Sequence, residues 1–186
     1  MKNPYVFGFL PLFTIILFSF SFSTFSMFQL VSLFKVIGVY EGMREFLSDI
    51  EIKIFVLIIL SLVYFMVFSA LKLIAETIHE LGMLFFSKDL EGKTLAQARG
   101  GYVIFFVGGV LSVLGLQSIY FLLIVFLVTS FVYFIYVVYK LSPSMSMIGT
   151  FGLIIFEIMI WSLFLALIVY AAIKLYNGIM ASLPFV

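Results

Sequence analysis

From Tyr102 to Tyr139 the chain runs for 38 residues without an Asp, Glu, Lys, Arg or His. A single helix of that length would measure about 57 Å at about 1.5 Å per residue, nearly twice the roughly 30 Å of a bilayer's hydrocarbon core. The stretch is therefore read as two antiparallel helices, with a tight turn at Gln117-Ser118, the polar pair that follows Gly115. Composition fixes the solvent around them. With 65% hydrophobic and 10% charged residues, 25 Phe and 10 Tyr, and a mean hydropathy of +1.33, a 186-residue soluble domain would leave much of its apolar surface in water. Lipid removes that conflict by replacing water as the neighbour.

Charged and turn-forming residues divide the rest into spans that can be measured against the roughly 20 residues needed to cross a membrane. The expected spans are 6–33, 52–71, 95–116, 119–139 and 148–175. This gives an all-α integral membrane bundle of five transmembrane helices, with four as the alternative, in a single domain. The first span is expected to stay on the protein, because Lys2 is a meagre charged leader and Ser21-Phe22-Ser23 a poor cleavage site. Ser48-Asp49-Ile50-Glu51 has the pattern of a capping box and predicts a helix start, which continues through the second span and past the membrane boundary. Thr94 to Gln97 offers a second capping box before the third span. Ser142-Pro143 reads as an N-cap with proline in the first helical position, and Asn177-Gly178 as the stop of the last helix.

The net charge of +1 and the absence of a dense basic patch argue against nucleic-acid binding. With no cysteine, disulfides, thiolate metal sites and cysteine nucleophiles are excluded. For five spans, Lys2, Lys72, Lys88, Lys93, Arg99 and Lys140 fall on one side, against Lys35, Arg44, Lys53 and Lys174 on the other. That bias predicts a cytoplasmic N-terminus and an exterior C-terminus.

Four features are candidates for function, each with a plainer alternative. Glu157 is the sole charge between Met145 and Ile173, which places it near the bilayer midplane, where an ionised acid is costly. With no Lys or Arg expected at its depth, it is read as a neutral acid donating one hydrogen bond. Either it bonds a Ser, Thr or Tyr hydroxyl as glue between helices, or it handles a proton or cation. Glu76, His79 and Glu80 lie within about one helical turn and include the chain's one histidine. The zinc-protease spacing fails at Met83, and matching sets on other helices are absent, so no metal is expected. The plainer reading is a solvated face at the membrane surface, with Lys72 and Glu76 paired at i,i+4. Gly101, Gly108, Ser112 and Gly115, spaced by seven, four and three, form a small-residue seam suited to close helix packing inside the bundle or between protomers. Ser19, Ser23 and Ser26 make a hydroxyl stripe on the first helix, suited to a polar path or to ordinary bonds with the preceding turn or a neighbour.

The opening Met1-Lys2-Asn3, the Phe9-Leu10-Pro11-Leu12 segment and the long charged-ended second helix resemble a family of uncharacterised multipass membrane proteins from Gram-positive bacilli. The resemblance implies a plasma-membrane location and several spans, and supplies no site residues. The sequence thus points to a multipass membrane protein without enzymatic chemistry and without a cofactor, an accessory or assembly component. Its partners would be the lipid bilayer and a membrane protein or a second copy. The alternative is a small transporter or channel subunit that uses Glu157 for proton or cation handling.

Overall fold

A computed structural model of the protein describes residues 8–89, 94 and 98–182. Six α-helices carry the described chain: α1 (Leu10–Val36), α2 (Val39–Arg44), α3 (Asp49–Phe86), α4 (Tyr102–Ser112), α5 (Ile119–Leu141) and α6 (Met147–Ser182). α1 has Pro11 in its first turn, where the missing N–H costs no internal bond. It stops at Gly38, whose φ of 79° suits the left-handed conformation that glycine adopts without strain. The Ser48–Glu51 capping box is formed in full. Ser48 Oγ accepts from the Glu51 amide, and the Glu51 carboxylate accepts from the Ser48 amide at 2.8 Å.

Four helical segments are long and apolar enough to cross a membrane: Leu10–Val36, Asp49–Phe86, Ile119–Ser144 and Met147–Ala181. The expected third span, 95–116, is the short one. Its described helical part, Arg99–Gly115, is 17 residues long, about 25 Å at about 1.5 Å per residue. Both of its ends are 3-10 turns, Arg99–Gly101 and Val113–Gly115. The chain then reverses, and Ser118 caps α5 by accepting from the Phe121 amide at 3.3 Å.

Two boundaries differ from the sequence reading. The last helix starts after Ser146, not at Ser142-Pro143. Ser142–Ser144 prolongs α5 as a 3-10 turn, Met145 is held extended in an antiparallel bridge to Ser87, and the Lys88 amide donates to the Ser144 carbonyl at 3.0 Å. Helix geometry cannot begin until the chain leaves that bridge, so Ser146 caps α6, accepting from Gly149 N at 3.1 Å. At its far end α6 runs through Asn177-Gly178 to Ser182. A helix surrounded by lipid keeps its internal hydrogen bonds unless another partner is offered, and nothing lies within 4 Å of the position a Gly178 Cβ would take. Of the second expected capping box, positions 95–97 lie outside the described residues; the Thr94 amide donates to Asp89 Oδ2 at 2.7 Å.

α1 and α3 pack antiparallel, joined at one end by Met27, Val31, Tyr40, Ile52 and Val56. Further along they share a ring cluster with α5. Phe68 of α3 sits 5.7 Å from Phe18, 5.4 Å from Phe22 and 5.4 Å from Phe126, within the range of favourable aromatic pairs. α4 runs alongside α1 and antiparallel to α5, while α6 packs on the C-terminal part of α3 and on α5. A third cluster, Met83, Ala98, Val137, Leu141 and Leu153, closes the bundle where α3, α5 and α6 converge.

Candidate functional site: a buried His–Glu pair beside a polar cleft

The C-terminal third of α3 is where two sequence candidates meet. Gly82 of α3 faces Leu153 of α6, and Gly152 of α6 faces the Phe86 ring. These glycines let the two helices approach closely. In that register, His79 Nδ1 lies 2.6 Å from Glu157 Oε1. Glu157 is completely buried and His79 only 5% exposed. Glu157 Oε2 is buried with no hydrogen-bond partner among the described residues. Glu157 therefore bonds an imidazole, where the sequence pointed to a hydroxyl.

The expected solvated face divides accordingly. Lys72 and Glu76 do pair, with Nζ 2.7 Å from Oε1, and the same Oε1 accepts from the Tyr102 hydroxyl at 2.7 Å. Glu80 is exposed. His79 belongs to the same stripe of α3 yet is buried, because it lies at the level where α6 closes on that helix. Beside it is a cleft of about 130 Å³, room for several water molecules. Its polar lining is Glu76, His79, Glu80, Arg99, Tyr102 and Tyr133. The Tyr133 ring stands 5.9 Å from the imidazole. Among the described residues, no group of three or more His, Asp or Glu side chains is arranged to hold a metal ion.

The other candidates lie elsewhere in the bundle. Gly101 faces Tyr133 and Tyr136, Gly108 faces Thr129 and Gly115 faces Phe121, so all three glycines of the seam meet residues of α5. Ser112 turns to α1, where its hydroxyl lies 2.9 Å from that of Ser21. In the serine stripe, Ser23 is 2.8 Å from Ser61 and Ser26 is 2.7 Å from Tyr64 OH, both on α3. Ser19 bonds back to the Ile15 carbonyl at 2.6 Å.

Residues 25–184 match a family model described as a family of unknown function (DUF5366). The chain belongs to this family. It is similar to the uncharacterized membrane protein YufK of Bacillus subtilis (strain 168), 41% identical over 184 residues that cover 99% of this chain and 100% of that protein. No solved structure matches.

The His79–Glu157 pair makes a thermodynamic prediction. Truncating either partner leaves the other buried without its bond. E157L and H79L should each destabilise the protein by about 1–3 kcal/mol, while the double variant should cost clearly less than the sum, because the two groups act as one unit. Unfolding in mixed detergent micelles, read for all four members of the cycle, measures the difference. Simple additivity would show that the two side chains are not coupled.

Proposed function

We propose that this protein is a non-enzymatic component of the plasma membrane, an accessory or assembly subunit whose helices recognise another membrane protein. The observation that carries the reading is the complete burial of Glu157 against His79. A carboxyl sealed between helices ties α6 to α3, whereas a transport site would open the acid itself to a hydrated path. The seam glycines and the bridging serines are likewise engaged inside the bundle. What remains on offer is α6 beyond the bundle, where every residue from Leu165 to Ala181 is exposed. A photo-crosslinking residue at Leu167 or Ile168 should capture a discrete protein in native membranes, and the same probe at buried Phe18 should not. Crosslinks to lipid alone at the α6 positions would refute the assembly role.

In the proposed orientation the N-terminus is cytoplasmic and the C-terminus exterior, as the larger group of Lys and Arg residues favours. It makes the Arg99–Gly115 segment a fifth crossing, its short length met by local thinning of the bilayer. The absence of cysteine supplies a clean background. A single cysteine at exposed Asn177 should react with a membrane-impermeant maleimide in intact cells; labelling only after permeabilisation would reverse the assignment.

A second reading, proton handling, draws support from the polar cleft that His79 lines. As a conducting path it would have to continue past Glu157, and α6 carries no further charge until Lys174. Liposomes loaded with a pH dye should therefore show no proton flux from the wild-type protein or from E157Q. Flux in the wild type that E157Q abolishes would replace the assembly reading with transport.

A further inference from the structure

We propose that His79 and Glu157 form a proton-binding site that exchanges with water through the cleft beside α3, and hence from one face of the membrane. His79 is the residue common to both environments. It lines the cleft and is bonded to a carboxyl that does not line it. Glu157 supplies two oxygens. Oε1 is taken by the imidazole, and Oε2 is buried without a partner among the described residues, a seat for a further proton.

The chemistry of the pair suits this task. One proton shared between an imidazole and a carboxyl leaves the two neutral in sum, whichever of them holds it, and a pair with no net charge is far easier to bury than a lone ion. Loss of a proton to water in the cleft, from the ring nitrogen that is not bonded to Glu157, leaves a neutral imidazole donating from Nδ1 to the carboxylate and one negative charge on the site. Uptake reverses it: that nitrogen takes a proton from a hydronium ion in the cleft, water is left behind, and the pair returns to zero net charge as imidazolium and carboxylate.

The surroundings keep the entrance wet without fixing the outcome. Glu76 and Glu80 from α3 and Arg99 from the turn before α4 line the cleft, with the hydroxyl-bearing rings of Tyr102 from α4 and Tyr133 from α5. Lys72 is bonded to Glu76. The two carboxylates are thus balanced by two cations. On α6 Glu157 is followed by Ile158, Met159 and Ile160, and the next charge is Lys174. Access is accordingly one-sided. This inference rests on the geometry of the pair and not on the assembly role, so either can fail alone.

His79 is the only histidine in the chain, so a tag-free protein labelled with nitrogen-15 histidine reports on this site alone. In lipid nanodiscs taken from about pH 8 to about pH 5, the imidazole signals should pass reversibly to the doubly protonated pattern while circular dichroism stays unchanged. In E157Q the transition should be displaced by about one pH unit or more. Should E157Q fail to fold, E157D, which keeps the acid but withdraws it by one methylene, should also displace the transition. In proteoliposomes the signals should follow the pH of one compartment only. Imidazole signals that never change while the protein stays folded would overturn the proposal. So would coincident transitions in wild type and variant, or an equal response to both compartments.

Discussion

Lipid neither accepts hydrogen bonds nor pushes apolar helices together, so a chain of this composition is held in shape by close packing and by the polar contacts it makes with itself. The bundle meets that constraint at many modest points. Ser21 with Ser112, Ser23 with Ser61 and Ser26 with Tyr64 tie α1 to its two neighbours. Gly101, Gly108 and Gly115 bring α4 against α5. Single hydrogen bonds between membrane helices average about 0.6 kcal/mol, so no one of them determines the fold. Their distribution does, since two of them fix the register of α1 on α3 and the third that of α1 on α4.

The longest helix organises the rest. α3 has 38 residues, about 57 Å at about 1.5 Å per residue, and its two ends serve different partners. The N-terminal end starts at the Ser48–Glu51 capping box and packs on α1 and α2 through Ile52 and Val56. The C-terminal end receives α5 and α6, and the Ser87–Met145 bridge pins the junction between them. The His79–Glu157 contact is the last side-chain hydrogen bond along α6 before its exposed run begins at Leu165. The angle at which that run leaves the bundle is therefore set by the few turns between the bridge and the pair.

Much of this was legible from residues alone, for reasons that can be named. Uncharged length identified the helices, because an apolar run of about 20 residues has few alternatives. Ser48 and Glu51 announced a helix start because the capping box is local chemistry, complete within four residues. Ser142-Pro143 misled because its fate depended on Ser87, 55 positions earlier, whose bridge to Met145 holds the chain extended. The His79–Glu157 pair was hidden by the same kind of dependence. Glu157 was judged against Lys and Arg at matching depth, and His79 against the solvated stripe it shares with Lys72 and Glu80. A lone buried acid and a lone histidine on adjacent antiparallel helices were the available signal. Both lie about two to three helical turns from the α3–α6 junction.

Lys72 and His79 are seven residues apart and project from nearly the same side of α3, yet the lysine is half-buried and paired with Glu76 while the histidine is buried at the edge of the cleft. Position along the helix, and not the face, separates them, because His79 lies where α6 packs closely on α3, one turn before the Gly82–Leu153 contact. That close packing also explains why an imidazole suits this position better than an ammonium. A buried Lys–Glu pair with both groups ionised must be stripped of water twice, at a cost the mutual attraction often fails to offset. An imidazole has a neutral form with a donor and an acceptor on the same ring, so it can bond Glu157 whether the proton sits on nitrogen or on oxygen. The contact therefore survives a change in which partner carries the charge, and α6 stays seated on α3 in either state.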